Sequence, residues 1–227
     1  DDKCYYCSTG ILDGVRGIVA FEINPMTGEI LSDKHLISEG CGGQCAEGPH
    51  IYKKDGMYYL MIAEGGTEYA HRETIQRSAS VWGPYTPCPH NPIISHKEYK
   101  KSEIQATGHA DLVEDANGSW WLVFLGIRRF SHALLHNLGR ETFLAPVTWK
   151  DGWPVVGYNV NGTIELVMDA PLPGLEDEES KKNIHIDSKS GKPMLYSDHS
   201  VHIDFSDAKL DKRLQFTRNP DMSHYIY

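Results

Sequence analysis

The sequence has no run approaching 18 consecutive apolar residues; its longest, WWLVFLGI at 120–127, is the length of a buried strand, not of a membrane span. A membrane-spanning helix is excluded, and no membrane partner is expected. Nor is there a basic surplus: 22 Lys and Arg against 31 Asp and Glu leave a formal net charge of −9, and the basic residues form no stripe. Nucleic acid is therefore not an expected partner, and a neutral small molecule or carbohydrate fits better. Cysteine is scarce and odd in number. Cys4, Cys7, Cys41, Cys45 and Cys88 match neither paired zinc knuckles nor a dense disulfide framework. If KCYYCS is a strand, its i and i+3 side chains point to opposite faces, so Cys4 and Cys7 do not chelate one ion and read as packing residues. The odd count favours a reducing compartment, whereas Asn117-Gly118-Ser119 and Asn161-Gly162-Thr163 are sequons that matter only in a secretory pathway. Localisation stays open. Phosphate-binding and nucleotide motifs are missing as well, because the glycine-containing stretches sit in turns without a following helix, and no organic cofactor is expected.

Helical signals are also nearly absent. The 21 Gly and 12 Pro punctuate the chain at short intervals, and no long 3.6-residue apolar stripe survives between them. What is present is β patterning at 40% hydrophobic content, enough for one sizeable core or two smaller ones. Three segments resemble one another: DDKCYYCSTG, KDGMYYLMIAEGG and ANGSWWLVFLGIR. Each has turn residues, an aromatic pair and an apolar run ending in or followed by Gly. Their first aromatics, Tyr5, Tyr58 and Trp120, are spaced by 53 residues (5 to 58) and 62 residues (58 to 120), in the range of propeller blades. Asp55-Gly56 and Asn117-Gly118 are strong hairpin signals, read as type I′ turns in which both central residues need positive φ. Further hairpins are expected around Pro25 and Gly28 and at Asp151-Gly152. The fold class is all-β. An immunoglobulin-like sandwich is the alternative, but it does not require the aromatic pair to recur after each turn.

From about residue 171 the pattern turns polar and acidic, PLPGLEDEESKKNIHIDSKSGKP, and reads as a linker or surface excursion over 174–200. The expected organisation is a partial propeller over 1–173, this excursion, and the start of another β module over 201–227. The chain begins without Met or leader and stops within a strand-like stretch, DMSHYIY, so it reads as an internal fragment of a larger protein.

Glu47 stands just before a Gly-Pro kink in QCAEGPH, at the start of an expected inner strand. A carboxyl group held there and partly desolvated by aromatic walls can act as a general acid near neutral pH. The plain reading is a surface loop residue. Its company decides: AEGPHIYKKDGMYYLMIAEGGT, TGHADLVE and LGRETFLAPVTW, in this order, resemble glycoside hydrolase family 43, the five-bladed propellers that include β-xylosidases and α-L-arabinofuranosidases. The resemblance runs from Asp1 to about Pro173. DFSDAKLDKRLQFTRNPD looks like the start of the β-sandwich that follows the propeller in xylosidase-type members.

The resemblance implies roles residue by residue. Glu47 matches the general acid, Gly48 and Pro49 fixing the backbone that presents it. Thr67, in AEGGT, lies at the sugar pocket, while Glu64 in the same motif reads equally as structural. Arg140, in LGRET, binds substrate hydroxyls or steadies the acids; the competing reading pairs it with Glu141. His109, in TGHADLV, points into the central channel, where members hold a water or a cation such as calcium; imidazole is a poor ligand for that hard ion, so a histidine bonded to channel water is an equal reading. Asp13 and Asp111 match no catalytic motif. The implied mechanism is inversion, with a second carboxylate about 6.5 to 9.5 Å from the acid activating water. That base and a third, acid-tuning aspartate match nothing in these residues, so the chain carries one third of the catalytic set and about three of five blades, and is expected to be inactive alone. The implied substrate is a xylo- or arabino-oligosaccharide from hemicellulose, with β-xylosidase as the first reading and α-L-arabinofuranosidase as the second. A non-catalytic carbohydrate-binding propeller is the rival from another class. A homo-oligomeric parent is compatible with each.

Overall fold

The computed structural model describes residues 3–130, 135–168 and 170, together with the backbone of 184–186 and 193–195. The chain divides into two compact units, Asp1–Ala170 and Pro171–Tyr227. Among the described residues there is no helix. In the first unit the strands form three antiparallel meanders in sequence order. The first holds β1 (Cys4–Leu12), β2 (Val15–Ile23) and β3 (His35–Ser38); the second holds β4 (Glu47–Lys54), β5 (Met57–Glu64), β6 (Arg72–Ser78) and β7 (Thr86–Pro87). The third holds β8 (Ile104–Glu114), β9 (Trp120–Arg128), β10 (Arg140–Lys150) and β11 (Trp153–Val156). In the second unit β12 (Ile184–Ile186) pairs antiparallel with β13 (Pro193–Leu195). The expected sandwich start at 201–227 lies outside the described residues.

Tyr5, Tyr58 and Trp120 sit near the starts of β1, β5 and β9, the repeat seen in the sequence. The hairpin turns follow their chemistry. Asp55-Gly56 and Asp151-Gly152 both adopt positive φ at both residues, as does Asp13-Gly14 between β1 and β2. Asn117-Gly118 departs from the type I′ expectation: Gly118 has φ 81°, but Asn117 is not in the left-handed region. The cause is Asp115. Its carboxylate accepts the Asn117 and Ser119 N–H groups, each at 2.9 Å, and the Trp121 Nε1–H at 3.0 Å, drawing the chain into a wider Asx-type loop.

Strand β5 explains how the meanders stack. On one face Leu60 and Ile62 pack with Ile18, Ala20 and Ile37 of the first sheet. On the other, Tyr59 and Met61 pack with Leu112, Leu122, Phe124 and Ala145 of the third. Successive side chains alternate faces, so a strand buried on both sides must be apolar throughout, and YYLMIA is. Each fully buried Leu, Ile or Met contributes about 1.5–3 kcal/mol relative to exposure. Sheets packed face to face in sequence order are the blades of a propeller. The recurring aromatic pair helps tie one blade to the next: the Tyr59 hydroxyl donates to the Gly152 carbonyl at 2.8 Å, and the Tyr59 ring meets Trp149 edge-on at 5.1 Å.

Candidate active site

The leading strands of the second and third blades, β4 and β8, both break register near their N-terminal halves. In β4 the pairing with β5 shifts between Glu47 and His50, with Gly48 at φ 56°. In β8 it shifts twice, between Gln105 and Gly108 and between Gly108 and Asp111, with Ala106 and His109 both at φ 52°. Bulges bend a strand and re-aim its side chains, and non-glycine residues at positive φ persist only where the surroundings hold them. Here the two bulges meet. A Cβ built on Gly48 would lie 2.8 Å from His109 Nε2, so only glycine lets the imidazole reach the backbone beside Glu47.

Glu73, near the start of β6, and His71, just before that strand, hold the β8 bulges. The fully buried Glu73 accepts the Ala110 N–H at 3.0 Å and also the His109 N–H. Burial pushes its carboxyl well above the usual glutamate range, against the pull of those two backbone donors. His71, also buried, directs Nδ1 at the Ala106 carbonyl 3.1 Å away; since a carbonyl only accepts, the proton sits on Nδ1. Its ring covers Gly108, where a Cβ would come within 2.9 Å, and lies 6.2 Å from the His109 ring. Burial lowers the His71 pKa, the Ala106 hydrogen bond opposes this, His109 and Arg140 reinforce it and the Glu47 charge opposes it. Glu47, His109 and Arg140 thus all lie within electrostatic reach of one imidazole.

Thr67 and Arg140 line one cavity of about 430 Å³, together with Tyr69, Ala106, Leu125 and His136. The competing pair for Arg140 does not form: Glu141 is engaged by Arg128 at 2.9 Å. Glu64, by contrast, is fully buried and bound by Arg72 through Nε at 3.0 Å and Nη2 at 2.7 Å, the structural arrangement of its two readings. Asp13 sits in the β1–β2 turn, and Asp111 accepts the Tyr52 hydroxyl proton. Among the described residues no group of three or more His, Cys, Asp or Glu is placed to hold a metal ion. The sequence reading missed His71 and Glu73. Their run, His71-Arg72-Glu73-Thr74, is polar and looks exposed; nothing local says that it faces another blade.

Comparison with known proteins bears on what this arrangement is for. A solved Bacteroides ovatus protein, "Xyloglucan PUL GH43B", superposes with a TM-score of 0.75 at 40% identity, covering 98% of this chain and 40% of that one. A xylan beta-1,4-xylosidase from Bacillus halodurans superposes with a TM-score of 0.67 at 33% identity, over 78% of this chain and 35% of that one. In sequence, a non-reducing end alpha-L-arabinofuranosidase of Bacteroides ovatus is 50% identical over 158 residues, 69% of this chain. A xylosidase/arabinosidase of Butyrivibrio fibrisolvens is 41% identical over 181 residues, 75% of this chain. The chain spans only 29% and 35% of the lengths of these two relatives. The model of the glycosyl hydrolases family 43 matches residues 1–154, which include the Glu47 bulge, the AEGGT turn, His109 and Arg140, and with blades, motifs and relatives in agreement the chain belongs to that family.

Proposed function

We propose that these residues supply the general-acid side of an inverting glycoside hydrolase that removes pentose units from hemicellulose-derived oligosaccharides. The observation that carries this reading is the joint bulge of β4 and β8. It seats the His109 ring against Gly48, the residue after Glu47, and His71, 6.2 Å from that ring, hydrogen-bonds Ala106 in the wall of the cavity that Thr67 and Arg140 share. Glu47, in its acid form, gives its proton to the glycosidic oxygen as the bond to the anomeric carbon breaks. Water activated by a second carboxylate attacks from the opposite face, and the configuration inverts. That carboxylate is assigned to sequence outside these residues, since no aspartate here matches its motif. Thr67 and Arg140 are the sugar-binding groups, and His109 orders the channel side of the acid.

β-Xylosidase is the first reading for the sugar. α-L-Arabinofuranosidase is the second, favoured by the 50% identity to a relative of that name. The aryl β-xylopyranoside and aryl α-L-arabinofuranoside, compared by kcat/KM in the full-length protein, separate the two; turnover of neither, with retained oligosaccharide binding, supports a non-catalytic binding propeller.

The acid assignment is tested with Glu47→Gln, which keeps shape and removes the proton. A substrate with a poor alcohol leaving group slows by about 100- to 10,000-fold, whereas an aryl substrate whose leaving group needs no proton loses far less. Equal losses for both would remove Glu47 from the acid role.

A further inference from the structure

We infer that the buried Glu64–Arg72 pair is a positioning device for Glu47, setting where the acid stands through the glycine loop that delivers it. The inference rests on the assignment of Glu47 as the general acid and adds two residues that act through it.

The geometry runs in one direct chain. Glu64 ends β5 one residue after Ala63, and Ala63 is the register partner of Glu47. Arg72 opens β6 opposite Glu64. The Glu64 carboxylate divides its two oxygens. Oε2 receives the Arg72 fork, at 3.0 Å from Nε and 2.7 Å from Nη2, while Oε1 accepts the Cys41 N–H. Arg72 Nη2 also reaches the Cys41 carbonyl at 3.4 Å. Both polar groups of one peptide-bonded residue are thus held by one ion pair, six residues before the acid.

The loop is built to wrap this pair. At Gly40, φ 97°, an added Cβ would lie 2.5 Å from Glu64 Oε1; at Gly43 it would lie 2.7 Å from Glu64 Oε2 and 2.8 Å from Arg72 Nη2. Farther along, the Gln44 carbonyl accepts the Gly65 N–H at 2.7 Å. From Gly40 to Gln44 the backbone is moulded on Glu64, Gly65 and Arg72, and three residues later it becomes Glu47.

A carboxylate with no exposed side-chain surface, paired with an arginine whose side chain is 27% exposed, is a costly arrangement as stability alone, because desolvation offsets much of the ionic attraction. What it supplies is a fixed geometry: a planar fork and two carboxylate oxygens leave the loop one register. For a proton donor that matters, since a misplacement of about 1 Å costs on the order of 100-fold in rate.

The test uses the full-length protein with Arg72→Met, Glu64→Gln, the double variant and Arg72→Lys, beside Glu47→Gln. Each is assayed on a pentoside with a poor alcohol leaving group and on an activated aryl pentoside. Arg72→Met and Glu64→Gln are each expected to lower kcat on the poor leaving group by about 10- to 100-fold. On the aryl substrate the loss stays within about threefold, with KM unchanged, because protonation contributes little there. The double variant falls no further than the worse single one, as coupled partners do. Arg72→Lys, which keeps the charge, recovers part of the loss and serves as the reading if Arg72→Met does not accumulate as folded protein. Equal losses on both substrates, or no loss, overturn the positioning role. If Glu47→Gln shows the leaving-group asymmetry and the Arg72 and Glu64 variants do not, only the positioning inference fails; if Glu47→Gln shows none, the acid assignment fails and takes this inference with it.

Discussion

The His109 imidazole occupies the space that a side chain on Gly48 would fill, its Nε2 only 2.8 Å from where a Cβ would stand. Two blades therefore touch through a missing atom, and the residue preceding that contact is Glu47. Gly48→Ala meets both a φ of 56° and this overlap. A left-handed alanine costs about 1–2 kcal/mol, and overpacking adds about 1–3 kcal/mol. Thermal unfolding should show that loss, and kcat should fall with it, because relief displaces either the His109 ring or the backbone that carries Glu47. Adding His109→Ala to Gly48→Ala removes the overlap and leaves the backbone strain. The double variant should therefore regain more stability than activity.

Glu73 makes the protein's stability depend on pH in a direction opposite to that of an ordinary salt-bridged carboxylate. Its folded pKa is raised above the ordinary 4.5 by burial, so the folded state holds the proton where the unfolded chain has lost it. By linkage, stability falls as pH rises from about 4.5 toward the folded value. Glu73→Gln has no proton to lose and can still accept from Ala110 and His109. Melting temperatures followed from pH 4.5 upward should diverge, with the wild type falling below Glu73→Gln. Parallel curves would show that Glu73 is not held as the acid.

How much of this was legible follows from range. The meanders and the recurring aromatic pair rest on local pattern, turn dipeptides and alternation, and Tyr58 and Trp120 announced them. The Asp115 loop was misread because the deciding contact, a carboxylate reaching Asn117, Ser119 and Trp121, is a side-chain choice that the dipeptide does not encode. Glu47 and Arg140 were put forward from motifs. The groups that hold the β8 bulges, His71 and Glu73, were not, since they act on β8 from another blade and polar residues in a strand look like its wet face. Bulges at His109 and Gly48 are likewise invisible in a period-2 pattern, which they interrupt by one residue each.

The Gly152 carbonyl accepts from both Tyr59 Oη at 2.8 Å and Arg77 Nη1 at 2.9 Å. Loss of one donor leaves the acceptor satisfied. Tyr59→Phe should therefore cost about 0.5–1.5 kcal/mol in denaturant unfolding, the value of one net hydrogen bond, and not the larger cost of an orphaned buried group. Gly152 is exposed, so water replaces both donors in Tyr59→Phe combined with Arg77→Met, which should cost about the sum of the single changes.

Arg140 and Thr67 lie on different blades and face one cavity, which makes them separable from Glu47 by kinetics. The Arg140 guanidinium is exposed and is not engaged by Glu141, so its fork is available to two sugar hydroxyls at once. Arg140→Lys keeps the charge but not the fork. A hydrogen bond to a charged group contributes about 1.5–3 kcal/mol, so Arg140→Ala should raise KM by about 10- to 150-fold. Arg140→Lys should recover only part of this, because an ammonium is a point charge. If the contact is made equally in the ground and transition states, kcat stays near the wild type. Thr67→Ser keeps the hydroxyl and should be nearly silent, whereas Thr67→Val should raise KM with kcat little changed. Leaving group is the control: losses at Arg140 and Thr67 should be the same for aryl and alkyl pentosides, unlike those at Glu47. A fall in kcat at constant KM for Arg140→Ala, confined to poor leaving groups, would instead make Arg140 a partner of the acid and move it out of the sugar-binding role.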